Sequence, residues 1–165
     1  MSRYTLALAT PLAVSRERAW DWITSVDGIL AEMRPLMRMT IPRGVERIGL
    51  EDVRLGEPLF ASWVLLFGVI PVDRSWLTLV ELDPGHGFVE RSPMLGMKLW
   101  QHERWIETVP GTPGCTLNDR LSFEPRFAGP IVRWVVARFF RHRHAVLARR
   151  LGPESGASPL PNAPS

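Results

Sequence analysis

The sequence predicts an α+β domain: one antiparallel sheet with a single long helix laid over it. Three observations carry that prediction. Strand-length runs follow one another between Gly/Pro turns from residue 36 to residue 125. Two short helical patterns interrupt them once, directly after the first strand. "PIVRWVVARFFRHRHAVLARRL" (130–151) then runs without an internal Gly or Pro, enough for about six helical turns.

The elements follow in order. "RYTLALAT" (3–10) alternates as a strand and stops at Pro11. In "SRERAWDWIT", Ser15 is placed to cap a helix with Ala19, Trp22 and Ile23 at helical spacing. "DGILAEM" (27–33) reads as a second short helix, stopped by Arg34-Pro35 because the residue before proline disfavours helical backbone. "PLMRMTI" runs to Pro42, and "GVERIGLEDVRLGEP" (44–58) is weakly patterned around three glycines. "LFASWVLLF" (59–67) reads as a buried strand, and "DRSWLTLVEL" (73–82) alternates into the turn "DPGHG". "FVERS" (88–92) is short. "KLWQHERWIETV" (98–109) and "CTLNDRLSFEP" (115–125) flank "PGTPG". The last helix opens on Pro130, suited to a first turn, and ends at Gly152-Pro153. Residues 1–152 are expected to form one domain, and the small, polar, Pro-rich stretch 153–165 to be disordered.

Composition narrows the function classes. The 165 residues are 45% hydrophobic and 22% charged, as in an ordinary globular domain. A single cysteine, Cys115, excludes a disulfide framework or a Cys-rich metal site and makes a reducing cytoplasm the expected location. The longest apolar run, "WVLLFGVIPV" (63–72), is short of the about 20 residues a membrane span needs. The N-terminal segment breaks at Pro11 and soon reaches charges, unlike a signal peptide. Net charge is +3 with acids dispersed throughout, so no nucleic-acid partner is expected. No Gly-rich phosphate loop, serine elbow or zinc spacing is present, and no cofactor or metal is expected. His142 and His144 would point about 200° apart on a helix and could not share a metal. The basic stripe of the last helix reads as a solvated face rather than an RNA or membrane surface.

The stretch "KLWQHERWIE" raises the functional question. Alternation puts Trp100, His102, Arg104 and Ile106 on one face. On the next strand Leu117, Asp119, Leu121 and Phe123 share a face. On the last helix Val132, Val135, Val136, Phe139, Val146 and Leu147 share one arc, with Arg143 inside it. Four polar groups, His102, Arg104, Asp119 and Arg143, thus fall on apolar faces. Unpaired buried charge costs several kcal/mol, so they must pair or reach water. They form either a structural salt bridge, Asp119 with Arg143 or Arg104, or the polar end of an apolar cavity. Trp63, Trp76 and Trp100 are further candidate cavity residues, with Trp22 and Trp134 weaker ones. Arg74 and Glu90 lie on strands whose inward face the pattern does not assign.

Three stretches carry a family resemblance. "LWQHERWIE" has the form aromatic-x-His-x-(His or Arg)-x-apolar, "DRLSFEP" the form Asp-x-apolar-x-(Tyr or Phe)-x-Pro, and "FFRHRHAVL" follows an aromatic with Arg and Leu. Together with the element order, residues 3–151 resemble the helix-grip or SRPBCC superfamily, which includes START domains, birch-pollen-allergen-like proteins and polyketide cyclase/dehydrase-like proteins. The resemblance implies a curved antiparallel sheet gripping the C-terminal helix around a cavity. It implies no single reaction.

Three functions compete at this level. The favoured one is binding of a hydrophobic or amphipathic small molecule (lipid, polyketide or aromatic metabolite) by Trp63, Trp76, Trp100, His102, Arg104, Asp119, Phe139 and Arg143. The second is a cyclase or dehydratase with His102 as acid/base, Asp119 orienting it, and Arg104 or Arg143 stabilising an oxyanion. Tyr4 is the sole tyrosine, which weighs against it. The third is a membrane-surface module using the arginine-rich helix.

Overall fold

A computed structural model of the chain describes residues 2–48 and 53–153. Seven antiparallel strands form one curled sheet in the order β1-β7-β6-β5-β4-β3-β2. They are β1 (Tyr4–Leu12), β2 (Met37–Met39), β3 (Pro58–Leu66), β4 (Ile70–Asp83), β5 (Gly87–Glu90), β6 (Met97–Thr108) and β7 (Cys115–Pro125). Helices α1 (Arg16–Thr24) and α2 (Val26–Met33) follow β1, and α3 (Gly129–Leu151) closes the chain. Strands β2 to β7 meander between neighbours, and β1 returns to pair with β7. This is the expected helix-grip α+β architecture. In the weakly patterned stretch Arg47 forms an isolated bridge with Ser25, and Pro58 at its end opens β3. Residues 49–52, and 154–165 of the tail expected to be disordered, lie outside the described residues.

Local chemistry sets the elements that hold the site. Ser15 caps α1 by accepting from the backbone N–H of Arg18 (3.3 Å). Ser25 both ends α1 and caps α2, accepting from Gly28 N–H (3.1 Å). Gly28 makes that elbow possible: a Cβ there would stand 2.1 Å from the Trp22 carbonyl oxygen. The tight elbow turns α2 so that Glu32 points inward. Similarly, a Cβ on Gly87 would meet the Arg104 carbonyl oxygen at 2.5 Å, so glycine lets β5 lie close to β6.

Most of the buried apolar residues gather in two clusters. One gathers Leu12, Ala19, Trp20, Ile23, Ile106, Leu117, Leu147 and Leu151 beneath α1. The other gathers Met33, Leu121, Phe123, Val136, Phe139 and Phe140 beneath the middle of α3. Along β7 Asp119 sits between Leu117 and Leu121, and along α3 Arg143 and His144 sit between Phe140 and Leu147. A polar layer therefore separates the two cores.

Candidate functional site

Strand register builds the polar layer. Arg104 on β6 lies directly opposite Asp119 on β7, and His102 lies opposite Glu90 on β5. Arg104 grips Asp119 with two parallel hydrogen bonds, Nε to Oδ1 and Nη2 to Oδ2, both 2.7 Å. His102 Nε2 donates to Asp119 Oδ1 (2.9 Å), and His144 Nε2 donates to Oδ2 (2.9 Å). All four acceptor positions of the carboxylate are thus occupied. The far ring nitrogen of His144 meets the Thr10 hydroxyl at 2.6 Å.

Glu32 is the second hub. It is fully buried and accepts from Arg104 Nη1 (3.0 and 3.3 Å), Arg143 Nε (3.0 Å) and Trp22 Nε1 (3.1 Å). Glu90 is the third carboxylate. Its Oε2 lies 3.6 Å from His102 Nδ1, and it accepts a hydrogen bond from the Ser92 hydroxyl. Among the described residues no buried side-chain nitrogen or oxygen lacks a partner. Nor are three or more His, Cys, Asp or Glu placed to hold a metal.

The electrostatics follow from this geometry. Burial alone would raise the Asp119 pKa, but Arg104 and His102 outweigh it and hold the carboxyl well below its usual range. Burial pulls His102 down, yet the Asp119 charge, the hydrogen bond to Asp119 and the nearby Glu90 carboxylate lift it above the usual imidazole value. Arg104 is raised despite burial by its two carboxylates, and Arg143 is lowered by burial and by the neighbouring Arg104 charge.

A cavity of about 370 Å³ lies beside the layer, between α3, α2 and the β3–β4 half of the sheet. Its wall is apolar over most of its area, with Ile23, Leu77, Leu79, Phe88, Val136 and Phe139 among its residues. Five methionines, Met33, Met37, Met39, Met94 and Met97, line it as well. Methionine is flexible and polarisable, which suits a wall that adapts to its occupant. His102, Arg104, Arg143 and Glu90 form its polar end, and Asp73 and Ser75 add polar atoms elsewhere.

The candidate residues divide accordingly. Trp100, His102, Arg104, Phe139 and Arg143 line the cavity. Asp119 stands behind His102 and Arg104 and holds them. Trp63 and Trp76 do not line it, a correction to the expectation. Cross-strand pairing of Trp63 with Arg74 puts them on the opposite face of the sheet, where Arg74 lies over both indole rings (5.5 and 5.3 Å). Trp134 is exposed, and Trp22 caps Glu32. Of the two pairings expected for Asp119, the structure has the one with Arg104, while Arg143 bridges to Glu32 (2.8 Å). Glu32 and His144 were missed. The only available signal was one acid in the apolar run "ILAEM" and a histidine four residues after Phe140.

A curled seven-stranded antiparallel sheet around a long C-terminal helix, with a cavity between them, is an SRPBCC-like helix-grip fold. The chain belongs to the DUF8410 family, described as a domain of unknown function, whose model matches residues 10–151. No curated protein matches it in sequence. Solved structures share the fold at low identity. A START superfamily protein from Mycobacterium smegmatis has a TM-score of 0.62 and 10% identity, covering 89% of this chain and 96% of that one. The Zhui aromatase/cyclase from Streptomyces sp. R1128 has a TM-score of 0.61 and 14% identity, covering 90% and 93%. A Chromobacterium violaceum protein reaches 0.66 at 16% identity, covering 92% and 99%.

Proposed function

We propose that the protein binds an uncharged hydrophobic or weakly polar small molecule in this cavity. The observation that carries the reading is an apolar space of about 370 Å³ whose polar end is already internally paired. That volume lies within the range of small-molecule sites, about 300–1,000 Å³.

Charge decides between ligand classes. The wall and the layer behind it hold four carboxylates (Glu32, Asp73, Glu90, Asp119), two guanidiniums (Arg104, Arg143) and two imidazoles (His102, His144). Their sum does not exceed zero even with both imidazoles protonated. A ligand carboxylate would enter without a net counter-charge and bear its desolvation cost. A carbonyl or hydroxyl bears far less.

The cyclase reading draws on the His102–Asp119 contact at the cavity wall and on the aromatase/cyclase among the fold neighbours. Against it, His102 Nε2 is committed to Asp119, and Glu90 stands 3.6 Å from Nδ1, where its carboxylate competes with a substrate proton for that nitrogen.

Native mass spectrometry of the full chain purified from its own host, with organic extraction of the bound fraction, tests the binding reading. A stoichiometric neutral metabolite supports it. A protein that arrives empty and takes up no apolar fluorescent probe on titration overturns it.

A further inference from the structure

Among the described residues, seven of the eleven exposed large hydrophobics fall in two groups, the others being Leu55, Trp63, Leu95 and Val109. Phe67, Val69, Ile70 and Val72 protrude at the β3–β4 turn, and Phe127, Ile131 and Trp134 protrude where β7 runs into α3. Each is more than half exposed, between 51% and 74%. Val72, Phe127 and Ile131 also line the cavity, so both groups stand at its mouth. Large apolar side chains gathered in one place on a surface mark an interaction site, whereas single ones do not.

The backbone is strained at the same two places. Phe67 and Ala128 both have φ +51°, and they are the non-glycine residues with positive φ among those described. Left-handed backbone is unfavourable for a bulky residue and collects at functional sites. Here it turns Phe67 outward at one edge of the mouth and sets Phe127 at the other.

Charge indicates what the rim meets. No Asp or Glu occurs between Glu124 and Glu154. Arg126 adjoins Phe127 and is held at the mouth by its backbone N–H on the Gly96 carbonyl (3.0 Å). On α3, Ile131, Trp134 and Arg138 fall within an arc of about 60°. Exposed apolar residues that include a Trp, with Arg126 and Arg138 beside them, match an interface of hydrocarbon and anionic headgroups.

We infer that this rim docks the cavity mouth onto an anionic lipid bilayer, so that an apolar molecule passes between membrane and cavity without crossing water. The docking surface is the paired β3–β4 turn and α3 start, and it stands independently of what the cavity holds.

Co-sedimentation of the full chain with phosphatidylcholine vesicles, with and without phosphatidylglycerol, tests it. The wild-type protein is expected to sediment with the anionic vesicles and to be released by salt. Replacing Phe67, Ile131 and Trp134 together by Ser should weaken partitioning by about tenfold or more, with the thermal melt unchanged because all three are exposed. Arg126→Glu with Arg138→Glu should abolish the preference for anionic vesicles. Absence of sedimentation with anionic vesicles at low salt overturns the proposal. So does sedimentation that the triple variant retains. A dimer in sedimentation velocity that the triple variant dissolves, without vesicle binding, assigns the rim to a second copy instead and also overturns it.

Discussion

Arg104 on β6 donates from one guanidinium nitrogen to both oxygens of Glu32 on α2, at 3.0 and 3.3 Å, although 72 residues separate them in the chain. The same guanidinium holds Asp119 with its other edge. One side chain therefore ties the sheet to α2, and Glu32 ties α2 on to α3 through Arg143. Removing Glu32 leaves two buried guanidiniums short of a partner. Glu32→Ala is expected to lower stability by about 3–5 kcal/mol in urea unfolding. Because Arg143 has Glu32 as its carboxylate, Glu32→Ala with Arg143→Ala should cost less than the sum of the two single changes. A loss below about 1 kcal/mol for Glu32→Ala would show that the layer does not hold the elements together.

The layer also sets a pH window. Asp119 has a depressed folded pKa, so its contribution is present above the unfolded value of about 3.9 and is lost as pH falls through the folded one. His102 has a raised folded pKa, so its contribution is complete below about 6.5 and is lost as pH rises through the folded value. Stability should be greatest between about pH 4 and 6.5 and fall on both sides. His102→Asn should flatten the alkaline limb and, because the His102 charge helps hold Asp119 ionised, shrink the acid limb to the part that Arg104 maintains. Urea midpoints across pH check this; an alkaline limb identical in both proteins would assign it to another group.

What the sequence reveals of the site depends on the element. Alternation on β6 and β7 places His102, Arg104 and Asp119 inward because the strand period of two is fixed by the pleat. Pairing β6 with β7 then sets Arg104 against Asp119. Glu32 escapes because α2 spans only eight residues, too few for a clear face. His144 escapes because it lies outside the single apolar stripe that the helical period marks on α3. That helix contacts both β1 and α2 and buries a wider face, including Phe140 and His144. Trp63 and Trp76 mislead because hydrophobicity does not say which face of a sheet is wet. The wet face here carries a cation that covers both rings.

Those two tryptophans supply a control for ligand binding. Ser75 is buried on the cavity wall, whereas Trp63 is exposed on the far side of the sheet. Ser75→Phe should fill the cavity and weaken binding of an apolar probe by about tenfold or more. Trp63→Ala should leave it unchanged. Fluorescence titration reads both. Equal affinities in all three proteins would place the bound probe somewhere other than this cavity.

Charge selectivity is the sharpest consequence of the paired polar end. A long-chain alcohol and the fatty acid of the same chain length differ chiefly in the charge brought to His102, Glu90 and Arg143. The alcohol should displace the probe at a concentration about tenfold lower at neutral pH. Glu90→Gln removes one of the wall's carboxylates while keeping an acceptor for the Ser92 hydroxyl, so it should narrow that gap. Acidification toward the carboxylic acid's own pKa should narrow it too, in wild type and variant alike. Should the anion displace the probe better than the alcohol, the guanidiniums would be acting as ligand partners rather than as members of a closed set. The balance of charge around the cavity would then not govern what enters it.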